Sequence, residues 1–206
     1  MHARSTTFRD RPEALDAGIA LVRDEAMPAL LELPGCVGLS MLVDRSSGTC
    51  IVTTAWEDER ALRASADLVL PIRRRGEQQF GARPTVHTWQ IGLLHRAHAT
   101  GEGARARVTW MRMPRRLVDS HLDAFRTVLL PQAELLPGFC SASLLVDRLT
   151  GRAALAVVYD GDASLRASRQ AAAELRADVV RRLSSELLDV AELDVALAHL
   201  RVPETV

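Results

Sequence analysis

Two copies of one segment occur in this chain, and this duplication constrains its fold more than any other feature. Leu33–Ser65 aligns with Leu136–Ser168 without a gap, and Pro34 meets Pro137, so the separation is 103 residues throughout (137 − 34). A repeat of this length corresponds to a domain-sized unit and not to the short repeat of a solenoid. The sequence therefore predicts two units with the same fold.

The boundary between the two units falls in a short segment of small residues. Ala97–Ala104 carries two glycines and lies where the duplication requires a junction. We therefore predict a first repeat over residues 1–96, a linker over 97–106 and a second repeat over 107–206. Units of roughly 100 residues are near the usual domain size, and each gains stability by burying a face against the other.

Hydrophobic periodicity predicts the same order of elements in each copy: strand, helix, strand, strand, helix, strand. Apolar residues at helical spacing follow Pro12 and Pro114, which suit the first turn of a helix. Pro71 predicts a break near residue 70 because proline cannot continue a helix, whereas Glu174 in the second copy allows a straighter helix. The predicted strands are 6–9, 37–43, 49–56, 85–94, 107–113, 140–146, 152–159 and 190–199, and the first helix of each copy is 12–33 or 115–136.

Neither face of the predicted hairpins carries charge. In the second strand of the first copy, Val37, Leu39 and Met41 alternate with Gly38 and Ser40. An antiparallel sheet with one face in water shows regular polar alternation, so we expect both faces to be covered. Helices account for one face, and the sheet of the other copy would account for the second.

The β-α-β-β-α-β order is that of ferredoxin-like units. Together with Leu33-Pro34-Gly35-x-x-Gly38 and with Trp56-Glu57-Asp58 followed by Leu62, it resembles the dimeric α/β-barrel superfamily, most closely its antibiotic-biosynthesis-monooxygenase group. The resemblance implies an α+β fold in which two ferredoxin-like repeats pack their antiparallel sheets face to face as an intramolecular α/β barrel. It therefore implies a monomer with an internal pseudo-dimer, and further dimerisation remains open.

Composition excludes several classes of function. The 26 basic and 26 acidic residues cancel, so no field would hold a polyanion, and we expect no nucleic-acid partner. All the basic residues are arginine, which excludes lysine-based covalent catalysis. No apolar run approaches the ~20 residues that span a bilayer, and the N-terminus lacks the apolar region of a signal peptide. We predict a cytoplasmic protein that does not bind membranes.

Metal and redox chemistry are not indicated. The three cysteines, Cys36, Cys50 and Cys140, lie in predicted strands and not at metal-ligand spacing, and we expect buried, reduced thiols. No metal-binding or phosphate-binding motif occurs. We therefore predict neither a metal nor a cofactor.

The resemblance suggests two kinds of chemistry. Some members of the group oxidise polycyclic aromatics without a cofactor, and others degrade haem with an Asn on the first strand and a Trp and a His on the second helix. This chain contains no Asn, and its predicted second helices carry neither Trp nor His. Haem degradation is therefore disfavoured, and oxidation of a small aromatic or polyketide-like molecule remains.

His87 and Trp89 are the candidates for such a reaction. They lie on one face of the predicted strand 85–94, where His87 could remove a proton from a phenol and Trp89 could stack on its ring. Trp110 and Tyr159 are further candidates for substrate binding. The alternative is that these aromatic residues are core residues and that His87 is hydrogen-bonded to the backbone.

Arg73-Arg74-Arg75 also allows two interpretations. The run is either a solvated helix face or a clamp for an acidic ligand group, since guanidinium groups bind carboxylates with two hydrogen bonds. Two classes of function thus remain open: a cofactor-independent monooxygenase-like enzyme, and a non-catalytic barrel that binds a small apolar or aromatic molecule or serves in structure and interaction. A shared fold does not decide between them.

Overall fold

The computed structural model describes residues 1–9 and 11–200 of the chain, so the end of the predicted second repeat, 201–206, lies outside the described residues. The strands are β1 (His2–Phe8), β2 (Cys36–Asp44), β3 (Thr49–Trp56), β4 (Thr85–Arg96), β5 (Arg105–Arg112), β6 (Phe139–Val146), β7 (Arg152–Tyr159) and β8 (Glu186–Leu200). The helices are α1 (Leu15–Leu21), α2 (Met27–Leu31), α3 (Glu59–Ala64), α4 (Leu70–Phe80), α5 (Val118–Ala124), α6 (Leu130–Glu134), α7 (Asp162–Ala167) and α8 (Arg169–Leu183).

The strands are hydrogen-bonded in the closed order β1-β3-β2-β8-β5-β7-β6-β4, which makes an eight-stranded barrel. The hairpins β2–β3 and β6–β7 are antiparallel, and β1 and β5 add to them antiparallel at β3 and β7. The predicted α+β class with two ferredoxin-like repeats is therefore confirmed.

Two compact units divide the chain. The first half comprises Met1–Trp89 and the end of β8 from Asp194, and the second half comprises Gln90–Leu193. The strand β5 begins at Arg105, inside the predicted linker over 97–106. Strands β4 and β8 each contribute residues to both halves, so the halves are not two uninterrupted stretches of sequence.

The first strand of each half begins earlier than the sequence indicates. β1 covers His2–Phe8 where strand 6–9 was expected, and β5 starts at Arg105 where residue 107 was expected. In β1 the reason is the buried Arg4, since a charged residue interrupts the apolar alternation by which a strand is recognised. In β5 the two residues left out are Arg105 and Ala106, and Arg105 is likewise charged.

The first helix of each half is interrupted, which the periodicity did not indicate. A π-helical turn, Val22–Ala26, separates α1 from α2, and the same turn recurs as Phe125–Leu129 between α5 and α6. Each turn precedes a proline, Pro28 or Pro131, which has no N–H for the regular helical hydrogen bond. The wider turn accommodates this loss, and such turns are frequent at functional sites.

The predicted break at Pro71 is confirmed. α3 ends at Ala64 and α4 begins at Leu70, so that Pro71 lies in the first turn of α4, where its missing N–H has no helical partner to lose. In the second half only Ser168 separates α7 from α8, which then runs without interruption to Leu183. The straighter second copy was predicted from Glu174.

Each half has its own hydrophobic core under its helices. Leu39, Met41 and Trp56 are fully buried in the first, and Leu144 and Phe125 are central to the second. The three cysteines are unpaired, and burial raises the pKa of Cys50 to about 12. Within residues 1–9 and 11–200, no helix is both long and apolar enough to cross a membrane.

Candidate functional site

The second half encloses a cavity between its sheet and its helices, which we call the second-half cavity. Its volume is about 70 Å3. The apolar walls come from β5, β7, the π-helical turn and α8, and they include Met111, Phe125, Leu129, Leu155, Val157 and Val179. Leu187 lies at the rim and is 46% exposed. The polar groups of the lining are few and lie together, as in small-molecule sites.

Arg107 is the central polar residue of this cavity. It is only 4% exposed. Its Nη1 donates to the Tyr159 hydroxyl at 3.0 Å and to the Ser168 hydroxyl at 3.0 Å, and its Nη2 donates to the Leu165 carbonyl at 2.8 Å. The guanidinium carbon also lies 5.3 Å from the centroid of the Tyr159 ring. These contacts fix the charge in one position before any ligand binds.

Glu192 is the counterion of Arg107. Its Oε1 accepts hydrogen bonds from Nε at 3.2 Å and from Nη2 at 2.9 Å. Its Oε2 accepts a shorter hydrogen bond from Nη2 of Arg169 at 2.6 Å. Hydrogen bonds from Arg169, and then from Arg107, hold the pKa of Glu192 below its ordinary value, although partial burial opposes them. Glu192 therefore carries a negative charge near neutral pH and is shared between two arginines.

Arg176 brings a second guanidinium to the same cavity from α8. Burial, and then the nearby charge of Arg107, lower its pKa, while Tyr159 and Glu192 oppose that change. Within the described part of the chain, the side chain of Arg176 makes no hydrogen bond or ion pair. Since Glu192 already neutralises one charge and is shared with Arg169, the cavity retains an excess of positive charge. An apolar cavity with such an excess is suited to a small organic anion.

An equivalent cavity, the first-half cavity, lies between the sheet and helices of the first half and also measures about 70 Å3. Arg4 and Arg73 line it, and they stand 103 residues before Arg107 and Arg176 (107 − 4 and 176 − 73). Of the run Arg73-Arg74-Arg75, only Arg73 reaches the cavity, whereas Arg74 and Arg75 are exposed. The exposure of Arg74 and Arg75 agrees with a solvated helix face, whereas the clamp for an acidic ligand group stays a prediction, now limited to Arg73.

His87 and Trp89 lie together, as predicted, but outside the lining of either cavity. Their rings are 5.5 Å apart at a tilt of 36° on β4. The buried Trp89 indole donates to the Ser5 hydroxyl at 2.8 Å, which is also how a core tryptophan satisfies its N–H. The roles of His87 as a base and of Trp89 as a stacking wall stay predictions.

Tyr159 and Trp110 lie in the second half in different settings. Tyr159 is buried and lines the second-half cavity beside Arg107. Trp110 is half-buried and does not line that cavity, because the flanking Thr109 and Met111 do and neighbouring side chains on a strand point to opposite faces. A substrate-binding role for each stays a prediction.

Sequence reasoning missed the residues that carry the charge of the site. Arg107, Arg176 and Glu192 were not singled out, because isolated charged residues usually face water. One signal was present: Arg4 and Arg107 have the separation of the duplication, so an arginine recurs at the same position of the first strand in each copy.

Two proteins of Mycobacterium tuberculosis match this chain along its whole length. The uncharacterized protein Rv2557 is 47% identical over 206 residues, which cover 100% of this chain and 92% of that protein. The uncharacterized protein Rv2558 is 49% identical over 207 residues, which cover 100% and 88%. The chain belongs to the family of Rv2557 and Rv2558. No protein-family model matches this member of the family.

Solved structures with little sequence identity share the fold of the Rv2557 family. A protein of Lactobacillus acidophilus NCFM, described as a candidate monooxygenase, has a TM-score of 0.70 at 7% identity and covers 97% of this chain and 96% of its own. An anthrone oxidase-like protein has a TM-score of 0.68 at 13% identity, with coverages of 99% and 94%. The heme-degrading enzyme LmHde of Listeria monocytogenes has a TM-score of 0.53 at 8% identity, with coverages of 93% and 99%. The fold is thus that of antibiotic-biosynthesis-monooxygenase-like proteins, as the resemblance implied.

Proposed function

We propose that the protein is a cofactor-independent, monooxygenase-like enzyme whose second-half cavity binds a small aromatic or polyketide-like molecule as its anion. The observation that carries this proposal is the meeting of Arg107, Arg176 and Tyr159 in a cavity with largely apolar walls. Positive charge near an acidic group favours its ionised form. A phenol bound there would therefore be held as the phenolate.

The charged and polar residues of the second-half cavity are suited to stabilising a bound anion. A phenolate gives electrons to dioxygen more readily than the neutral phenol does, so a site that favours the anion prepares the substrate for oxygenation. Arg107 is already held by Tyr159 and Ser168, and a preorganised charge in a water-poor cavity stabilises an anion more than the same charge in water. Glu192 remains ionised beside Arg107 and positions it.

The cavity size limits how the ligand can lie. A cavity of ~150 Å3 is known to hold benzene, and the second-half cavity measures about 70 Å3. We therefore place only the anionic oxygen at its inner end and the ring at the rim beside Leu187. A polycyclic substrate would also require movement of the π-helical turn Phe125–Leu129, which forms part of the wall.

Binding can be tested with 4-nitrophenol, because its anion and its neutral form absorb at different wavelengths. We expect the full chain to bind the anion and to lower the apparent pKa of the probe. Arg176→Gln should weaken binding about tenfold, the effect of a lost hydrogen bond to a charged group. Arg181→Gln changes an exposed arginine of the same helix and should have no effect. Equal affinity in the wild type and Arg176→Gln would reject the site.

Catalysis is tested separately by oxygen uptake. With an anthrone as substrate and no added metal or flavin, we expect dioxygen consumption above the uncatalysed rate, reduced in Arg176→Gln and unchanged in Arg181→Gln. Binding without oxygen uptake would instead support the alternative class, a non-catalytic small-ligand-binding protein, which the small cavity volume favours.

His87 offers a second catalytic candidate, since its ring lies next to Trp89. If His87 is the base, oxygen uptake should fall in His87→Gln and not in Arg176→Gln. The cytoplasmic location and the monomer with an internal pseudo-dimer stay predictions.

A further inference from the structure

The first-half cavity repeats the arginine cradle of the second half. Arg4 is 6% exposed. Its Nη1 donates to the Ser65 hydroxyl at 2.9 Å and its Nη2 to the Leu62 carbonyl at 2.7 Å, which are the counterparts of two contacts of Arg107. Its guanidinium carbon lies 5.7 Å from the centroid of the Trp56 ring. Both halves thus bury one guanidinium beside an aromatic ring.

The first-half cavity differs because its arginine has no acidic partner. Among residues 1–9 and 11–200, no carboxylate pairs with Arg4, whereas Glu192 pairs with Arg107. Trp56 also takes the place of Tyr159, and its indole N–H donates to Thr54 at 3.0 Å. Burial, and then the charge of Arg73, lower the pKa of Arg4. Neutral partners alone therefore offset a buried positive charge, which is costly without a counterion.

Arg73 adds to this excess of charge. It is half-buried and lines the cavity from α4, and its side chain makes no hydrogen bond or ion pair within the described part of the chain. Phe8, Phe80, Val52 and Ile72 supply apolar walls. The site thus offers two guanidinium groups within largely apolar walls, to which Thr6 and Thr54 add two hydroxyl groups, in a space of about 70 Å3. This combination suits a compact molecule with one full negative charge. Because the space is small, only the carboxylate would lie inside, and a short apolar tail would lie at the opening, as argued for the ring in the second half.

We propose that the first-half cavity is a second binding site, which takes a small aliphatic monocarboxylate between Arg4 and Arg73. The two halves then differ in the anion they select. With no competing acid, the first half favours a permanently ionised carboxylate. In the second half, Glu192 neutralises Arg107, so less positive charge remains there, and we expect a carboxylate to bind more weakly than in the first half. This inference does not depend on the reaction proposed for the second half.

Calorimetric titration of the full chain with sodium isobutyrate tests the proposal, with neutral isobutyramide as the matched probe. We expect one equivalent of isobutyrate to bind and isobutyramide not to bind. Arg73→Gln should weaken isobutyrate binding about tenfold or more, whereas the equivalent change Arg176→Gln should alter it less than about twofold. Unchanged binding in Arg73→Gln, loss in Arg176→Gln or equal binding of isobutyramide would each overturn the proposal.

Two further measurements distinguish binding in the first-half cavity from binding in the second-half cavity. Arg73→Gln should retain 4-nitrophenol binding, so a failure of one site is distinguishable from a failure of the other. Glu192→Gln removes the competing charge, and we expect it to raise the stoichiometry of isobutyrate from one to two per chain. If the stoichiometry stays at one while circular dichroism shows a folded variant, the difference between the halves does not arise from Glu192.

Discussion

The two halves of the molecule fill the same positions with side chains of different size. Gly18 faces Phe80 in the first half, and the residues 103 positions later are His121 and Leu183 (121 − 18 and 183 − 80). A Cβ atom on Gly18 would lie 2.3 Å from Cζ of Phe80. His121 fills the corresponding space and is held by hydrogen bonds from Nδ1 to the Leu117 carbonyl at 2.7 Å and between Nε2 and Ser185 at 3.0 Å. The duplication thus keeps the volume of the core but exchanges which element supplies it.

The buried charges of the two halves are not compensated in the way that the side-chain volumes are. Both halves retain the buried arginine and its serine and carbonyl partners, but only Arg107 has a carboxylate. A volume change in one residue is compensated by a neighbour, whereas the missing counterion of Arg4 has no replacement among the described residues. The comparison indicates that packing was kept equivalent while the electrostatic character of the two cavities diverged.

The largest difference between the halves should appear on removing the buried arginines. Arg107→Met leaves Glu192 half-buried beside Arg169 and deprives the Tyr159 hydroxyl of its partner, and we expect a loss of about 3–5 kcal/mol in the free energy of unfolding. Arg4→Met removes a charge that has only neutral partners, and Ser65 still donates to the Leu62 carbonyl at 2.8 Å. We expect that change to cost less than about 1 kcal/mol. Urea unfolding followed by circular dichroism measures both.

An exposed arginine provides the control for this pair. Arg166→Met changes a side chain that is 66% exposed and pairs with Asp162 at the surface, and its effect should stay within about 0.5 kcal/mol. Equal losses for Arg4→Met and Arg107→Met would show that the carboxylate does not distinguish the two halves.

The exchange of side-chain volume between positions 18 and 80 predicts a smaller change in the free energy of unfolding than the loss of Arg107. Gly18→Ala introduces a Cβ into the ring of Phe80 and should destabilise the protein by about 1–3 kcal/mol. The double variant Gly18→Ala/Phe80→Leu uses the smaller residue of the second half and should recover most of that loss. Gly101→Ala is the control, because no atom lies within 4 Å of its Cβ position. A double variant no more stable than Gly18→Ala would contradict the compensation.

The fold could be predicted where its cause is local or repeated. The break at Pro71 follows from the chemistry of one residue, and the prediction of strand 152–159 rests on its apolar composition and on the turn that ends at Gly151. The π-helical turns could not be predicted, because helical periodicity does not show where one extra residue is inserted. Their cause, Pro28 and Pro131, becomes visible only when the helix is known to continue past the proline.

The candidate site was less predictable than the fold, because its contacts join distant parts of the sequence. Tyr159 is a predicted binding residue and lines the second-half cavity. Its charged partners are distant in the sequence, since Arg107 is separated by 52 residues from Tyr159 and by 85 from Glu192. Arg73 was considered as a clamp only as part of an arginine run. A single sequence indicates which residues can carry charge, but their burial and pairing depend on the tertiary structure.

The smallest expected difference between the halves concerns the residues that follow the C-terminal ends of α4 and α8. Gly81 with φ 65° follows the last residue of α4, and the equivalent Ser184 with φ 51° follows the last residue of α8 (184 − 81 = 103), a left-handed conformation that disfavours side chains. Ser184→Gly should therefore raise the free energy of unfolding by about 1 kcal/mol, measured by thermal unfolding. Ser184→Ala retains a Cβ and should give no gain. Because Ser184 is exposed, a stabilised Ser184→Ala would mean that the hydroxyl, and not the backbone conformation, is unfavourable there.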